Sequence, residues 1–553
     1  MLKGHPKGLI VAFFANMGER FGYYTMLAIF ILYLQAKFGY TTAEAGGIYG
    51  AFLFGVYFLP LLGGYLADNV FGYGKTIVMG TIIMFLGYFL LSMPGMGIAM
   101  VYTALFVISL GTGFFKGNLQ ALVGNLYDDP KYSANRDNAF NIFYMGINIG
   151  AFFAPSAAEG IGNWVLRGKG LAYDSSIPHL AHQFLDGKLA DTSKLTELAQ
   201  AQMGTHFTDL TTFCNTYIDT LGRSYNAGFA VAAASMIVSL LIFVGFRKYY
   251  KHADVTEKQK EKSADLKSQA VILTPQQTKQ RLVALGLVFV VVIFFWMAFH
   301  QNGFTMTIFA RDYTQLEHVS PATYVLFDLG QLLPIIFAIV GVIIAFVSKA
   351  AKTRWIGIGV SVLSAIIAYL TISGYQGNYT ITPQKFQQFN PIFIVFLTPL
   401  VVGIFTSLRG KGKEPSAPKK IGVGMIVTAI GFGLLITASM GLISPGQLNG
   451  GVSEHLVSPY WLISTYLVLT VAELFLSPIG ISFVSKVAPP KYKGLAQGGW
   501  LGAVALGNLC AGGIGILWEK LELWQFFLIL VVMCAISATF IFSIVKRLEA
   551  ATK

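Results

Sequence analysis

Glu19 and Arg20 stand side by side within an apolar stretch running from about Leu9 to Leu34, in the string N-M-G-E-R-F-G-Y-Y from Asn16 to Tyr24. An ionised side chain inside a membrane helix is costly unless it is paired or wet, so such a group marks a functional site by default. Successive helical residues turn by about 100°, which puts Asn16, Glu19, Arg20, Tyr23, Tyr24 and Leu27 on one broad face. That face suits one wall of a polar cavity that handles charge. A structural ion pair between neighbouring helices is the alternative. Lys116 is a lone ammonium in another apolar stretch and needs a carboxylate or a bound anion to keep its proton. Glu473 is the strong charge of its own segment, with helix packing as its plainer reading. His300 titrates near neutral pH, where a glutamate does so only when buried.

The elements that must position these groups are membrane spans. The chain has 553 residues, 55% of them hydrophobic and 12% charged. Mean hydropathy is +0.62. Soluble domains carry about a quarter charged residues, so this is an all-α polytopic membrane protein. Apolar segments of spanning length fall at about 9–35, 45–67, 76–96, 99–125, 139–163, 225–247, 281–310, 323–348, 354–374, 389–408, 421–443, 458–486, 494–518 and 523–547, about fourteen in all. The net charge of +13 reflects Lys and Arg clustered in short loops and does not call for nucleic acid. Alternation of those loops predicts cytoplasmic N- and C-termini. No secretory signal peptide is expected. The three cysteines, Cys214, Cys510 and Cys534, have neither disulfide nor metal-ligand spacing and read as small hydrophobes.

Two polar stretches divide the pattern. Residues 164–224 form a long loop on the far side of the membrane. Residues 248–280, rich in Lys, Glu and Gln, read as a cytoplasmic linker with room for an amphipathic helix. The expected units are an N-terminal six-helix bundle over 1–247 and a C-terminal bundle over 281–553, the second including two extra helices at about 323–374. Two such bundles around a midplane site are the layout of a secondary transporter. Glycine pairs at 113/117, 146/150 and 498/502 permit close helix packing.

The segment G-G-Y-L-A-D-N-V-F-G-Y-G-K, Gly63 to Lys75, resembles the loop signature of the major facilitator superfamily, with Asp68, Gly72 and Lys75 in its acidic, turn and basic positions. Its physical sense is a tight glycine turn with a carboxylate capping a nearby helix end. Further strings resemble the proton-coupled oligopeptide transporter family. The first-span string resembles its E-x-x-E-R-F-x-Y-Y motif. G-T-G-F-F-K-G-N (Gly111 to Asn118) and F-N-I-F-Y-M-G-I-N-I-G-A-F (Phe140 to Phe152) are similar to its fourth and fifth spans. F-W-M-A-F-H-Q-N-G (Phe295 to Gly303), F-Q-Q-F-N-P (Phe386 to Pro391) and A-E-L-F-L-S-P-I-G (Ala472 to Gly480) are similar to its seventh, eighth and tenth. The matches run in family order, and the extra helices fall between family spans seven and eight.

The resemblance implies a major facilitator fold and proton-coupled symport of di- and tripeptides into the cytoplasm by alternating access. It implies that Arg20 and Lys116 help bind the peptide carboxylate, that Glu19 takes part in proton coupling with them, and that Glu473 receives the peptide amino group. Tyr23, Tyr24, Asn148, Asn390, Ser477 and Trp500 match family pocket positions. The asparagines could equally satisfy helix carbonyls, and Trp500 could pack towards lipid. Three positions depart from the pattern. The first acidic position of the motif is Asn16, an arginine position further along the helix is Leu27, and the seventh-span acid is His300. The coupling proton then falls to His300, Glu19 or Glu473, unless His300 is a neutral pocket group bonded to Gln301, Lys116 or substrate. Asp328 reads as a helix-pair contact or a membrane-edge residue. The expected setting is the plasma (inner) membrane, as a monomer, with no cofactor and no metal. A related carrier of another small zwitterion or anion, or one without proton coupling, is the competing function. Spans without His-Glu-x-x-His, Gly-x-Ser-x-Gly or paired-carboxylate motifs speak against an intramembrane enzyme. A nutrient sensor would be expected to carry a sizeable soluble domain.

Overall fold

The structure, a computed structural model, describes residues 4–256, 274–377, 379–448, 451–489 and 492–551. The middle of the expected linker, with its amphipathic helix, lies outside the described residues. Thirteen of the described helices are long and apolar enough to cross a membrane. The remaining expected span, 139–163, forms as the helix Arg136–Arg167. Asn141, Asn148, Ser156 and Glu159 make it more polar than the others.

In chain order the first six spans are Lys7–Phe38, Thr42–Phe71, Tyr73–Ser92, Ile98–Asn125, Arg136–Arg167 and Leu210–Gly245. The first packs on the fifth and sixth, and the third on the fourth and sixth. Gly150 permits one of these approaches, because a Cβ there would lie 2.6 Å from the Met17 carbonyl oxygen. The sixth helix starts at Leu210, so the end of the expected loop 164–224 extends that helix instead. Asp209 caps it through the Thr212 amide at 2.8 Å. The rest of the loop holds two short helices, Ile177–Leu185 and Ser193–Met203, seated on buried Ile177, Ala181, Leu195 and Ala199.

The later spans are Pro275–Tyr313, the extra pair Leu329–Val347 and Ala351–Ser373, then Pro383–Gly410, Ala417–Ser439, Tyr460–Val487, Gly494–Leu517 and Leu523–Ser543. The extra helices pack on each other where Gly341 and Gly357 bring their backbones together. Only 17% of each one's apolar window is buried, against 72% for the first span. They therefore stand at the periphery and present apolar side chains such as Phe346 and Trp355 outward. A short helix, Pro321–Phe327, precedes them and breaks at Asp328.

The halves meet at the end that carries the 164–224 segment. The second span runs against Gly494–Leu517, with Gly46 and Gly50 facing Gly512 so closely that a Cβ on Gly50 would lie 3.0 Å from the Gly512 Cα. Arg311 donates to Gln35 at 2.7 Å, the Thr42 amide to Glu519 at 3.0 Å, and Ser156 to Gln388 at 3.3 Å. At the opposite end Leu62, Tyr65 and Val70 of the second span and Leu495 are exposed. The loop side is thus shut.

Candidate functional site

The first span places Glu19 and Arg20 in the interior, 0% and 3% exposed. They form a fork with each other: Arg20 Nε donates to Glu19 Oε2 and Nη2 to Oε1, both at 2.5 Å. The guanidinium also lies 4.6 Å from the Tyr23 ring centroid. Arg20 is therefore half engaged by its own neighbour, with Nη1 outside the fork. Asn16 donates to the Phe143 carbonyl at 3.4 Å and so links the first span to the fifth. Tyr23 packs edge-on to Tyr24 at 5.1 Å and over Phe52 at 6.4 Å. Tyr23 is buried, while Tyr24 is half-buried.

Lys116, on the fourth span, meets no carboxylate among the described residues. Its Nζ lies 3.9 Å from the centroid of Tyr57, on the second span, a cation–π contact. Tyr57 also meets His300, ring to ring at 6.3 Å. His300 opens a short 3-10 turn, His300–Gly303, that interrupts the seventh span. It stacks on Trp296 at 5.3 Å, and its Nε2 is buried without a hydrogen-bond partner among the described residues. The expected alternative of a bond to Gln301 does not form. The Gln301 amide instead donates to the Met297 and Ala511 carbonyls, at 3.0 and 3.1 Å. Tyr57 thus bridges the lysine and the histidine across the two halves. Sequence reasoning missed it, because its segment F-G-V-Y-F reads like any apolar helix.

Glu473 projects from Tyr460–Val487 and is half-buried. Its Oε2 accepts from Asn390 Nδ2 at 2.9 Å, and the same amide reaches Thr470 Oγ1 at 3.1 Å. Asn390 therefore holds a carboxylate rather than a helix carbonyl. Asn148 takes the other option and donates to the Tyr144 carbonyl of its own helix at 3.1 Å. Trp500 is 4% exposed and fills the notch left by Gly480 on the Glu473 helix. It is an interior wall, not a lipid-side residue. Ser477 is half-buried one turn beyond Glu473.

In the 63–75 signature, Gly72 has φ +81°, the left-handed turn that glycine favours. Asp68 accepts from the Tyr73 hydroxyl at 2.7 Å, and Lys75 is exposed. The carboxylate at the start of the third span is a different one. Asp254 accepts the Gly74 amide at 2.8 Å, while Asn125 donates to the Ala253 and Val255 carbonyls at 3.0 and 2.7 Å. The first residues of the linker are thereby fastened to the first half. A separate cavity of about 160 Å³ lies at the loop side, lined by Gln35, Tyr173, His182, Arg311 and Trp518 among others, away from the charged chamber.

The interior thus carries Arg20–Glu19 and Lys116 on the first half and Glu473–Asn390 and His300 on the second, with Tyr57 joining Lys116 to His300. Comparison with known proteins bears on its use. The model of the POT family matches residues 74–270 and 360–523. The chain is 27% identical to the uncharacterized transporter YclF of Bacillus subtilis, over 95% of this chain and 90% of that one. It is also 27% identical to the peptide transporter YePEPT of Yersinia enterocolitica, over 93% and 88%. A solved POT family transporter in complex with 5-aminolevulinic acid has a TM-score of 0.68 at 19% identity, covering 100% of this chain and 98% of that one. That structural likeness shows the fold.

Proposed function

Since the chain belongs to the POT family, we propose that it carries di- and tripeptides together with protons into the cytoplasm by alternating access. One observation carries the reading. Among the described residues Lys116 is a buried cation without a carboxylate partner, and Glu473 is a carboxylate held by the Asn390 amide, and the two stand on opposite halves. A zwitterionic peptide has one group for each. Lys116 and Arg20 Nη1 take its carboxylate, and Glu473 takes its amino group through a charge-assisted bond. Tyr23, Tyr24, Asn148, Ser477 and Trp500 wall the rest. With the termini cytoplasmic, the shut loop side faces outward, and the protein works as a monomer in the plasma membrane. Peptide binding shifts the two-state equilibrium only through tighter binding in the closing state, which a ligand bridging both halves provides.

Glu19, Arg20, Lys116, His300 and Glu473 form the proton-coupling set of this reading. His300 has a free ring nitrogen at the bundle interface, beside the tyrosine that touches Lys116. It takes the place of the acid that Asn16 cannot supply. Asn16 also favours a second reading, transport of a small zwitterion with altered or absent coupling. Uptake of a labelled dipeptide by purified protein in liposomes, with and without an inward proton gradient, decides between them. Uptake that ignores the gradient refutes coupling, and absence of uptake and of dipeptide competition refutes the peptide.

A further inference from the structure

The extra hairpin, Leu329–Val347 and Ala351–Ser373, takes no part in the charged interior, and its two ends differ. At the loop side it is tied to protein. Thr371 Oγ1 donates to Gln331 Oε1 across the two legs, Gln331 Nε2 donates to the Tyr324 hydroxyl at 3.3 Å, and the Tyr375 hydroxyl donates to the Val319 carbonyl at 2.9 Å. Beyond that the legs pack chiefly on each other. The far end, at 348–350, is basic. Lys349, Lys352 and Arg354 all stand exposed there. No aspartate or glutamate occurs from Leu329 to Lys413. Other bases at this end of the molecule have acids: Arg136 pairs with Asp128, Arg409 and Lys420 with Glu414, and Lys419 with Glu549. The three at the hairpin tip pair with none among the described residues. Large apolar side chains flank them, Phe346 at 85% and Trp355 at 72% exposure. Helical residues three and four apart share a face, so Lys352, Trp355, Gly359, Val362 and Ile366 form one stripe. Val362 and Ile366 are exposed, and a Cβ on Gly359 would meet nothing within 4 Å.

We propose that the hairpin tip is a binding site for an anionic phospholipid, with the phosphate on Lys352, Arg354 and Lys349 and an acyl chain along the stripe from Trp355 to Ile366. A guanidinium fork takes two phosphate oxygens and an ammonium takes a third. Below the headgroup, Gly359 leaves a notch beside the Trp355 indole in which a chain lies flat, and indoles favour this depth of the bilayer. Three bases without acids select by charge. A zwitterionic headgroup carries its own cation, which they repel, whereas a headgroup with net negative charge has none. Orientation during insertion calls for bases near the tip, but not for a base in register with an apolar stripe. The hairpin is then fixed by protein contacts at its loop-side end and by lipid at the other. The proposal is independent of what the protein carries.

Trp355 serves as the reporter. Full-length protein in phosphatidylcholine nanodiscs receives brominated phosphatidylglycerol or brominated phosphatidylcholine, and the Trp355→Phe chain supplies the background of the other indoles. In the native protein Trp355 emission is expected to be half-quenched at a mole fraction of the anionic lipid at least about tenfold lower than of the zwitterionic one, and each base contributes roughly fivefold. Lys352→Gln should therefore cut the preference about fivefold, Lys352→Arg should keep it, and Lys349→Gln, Lys352→Gln and Arg354→Gln together should abolish it. The single variants decide the matter if the triple one does not insert. Equal quenching by the two lipids in the native protein, or a preference that survives the triple substitution, makes the tip an ordinary solvated face and overturns the proposal. Loss of the preference on adding inorganic phosphate at constant ionic strength assigns the bases to a soluble anion and overturns it too.

Discussion

Glu473→Gln isolates one charge in the chamber. Glutamine keeps the size of the side chain and an oxygen to accept from Asn390, which lies 2.9 Å from the native carboxylate. The Asn390–Thr470 link is untouched, so the fold is expected to survive. What is lost is the negative charge that meets the peptide amino group. A hydrogen bond to a charged group contributes about 1.5–3 kcal/mol net. At about 1.4 kcal/mol per decade, that weakens dipeptide binding roughly ten- to a hundredfold. The assay is equilibrium binding to purified protein at fixed pH, comparing a dipeptide with its N-acetylated form. The native protein should prefer the free amino terminus by that factor, and the variant should bind both alike. If Glu473→Gln keeps the native preference, Glu473 does not receive the amino group and the clamp is wrong.

Other substitutions test the remaining groups. Lys116→Gln should weaken but not abolish discrimination between a dipeptide and its C-terminal amide, because Arg20 Nη1 remains, measured by competition. Tyr57→Leu removes a cation–π contact worth about 0.5–2 kcal/mol and should raise the Kd of a free dipeptide roughly two- to thirtyfold while leaving the amidated one unchanged. His300→Gln should slow proton-driven uptake in liposomes and spare counterflow; equal, unchanged rates in both would exclude His300 as a coupling group. Gly512→Ala places a methyl against the Gly46 carbonyl and should hold the loop side open, seen as a longer distance between spin labels at Lys169→Cys and Lys520→Cys, both exposed at the loop side. At the opposite face, Arg409 and Lys420 bond Glu414 at 2.6 Å each and hold its carboxyl down at about 2. Its folded-state value is depressed, so its stabilisation is complete above the ordinary glutamate range and fades only as pH falls towards 2. The Tm gap between native and Glu414→Gln protein should therefore stay constant from pH 8 to about 5 and narrow only at lower pH.

Most of the spans, their order and the residues of the chamber were legible because a membrane forces the issue. Twenty apolar residues have few alternatives to a helix, and a charge inside such a run is conspicuous. Tyr57 was not legible, because a tyrosine in an apolar run carries no mark of what it will face. Glu159 carried the same mark as Glu19, a carboxylate within a span, yet its ion-pair partner, Lys385, lies more than two hundred positions away. Asp68 held the signature position, but the carboxylate at the start of the third span came from Asp254, beyond the sixth span. The sixth helix also began earlier than its apolar stretch, because Asp209 caps it in the polar region.

By itself the sequence determined a polytopic helical protein with charges at Glu19, Arg20, Lys116 and Glu473 that had to share a wet interior. Hydrophobicity acts locally along the chain, so it can be read one segment at a time. Only the tertiary structure decided who pairs with whom. It turned Arg20 onto Glu19, left Lys116 on an aromatic face, gave Glu473 to Asn390, and paired Glu159 with Lys385. Pairing depends on distances between helices remote in the chain, and no periodicity within one helix encodes them.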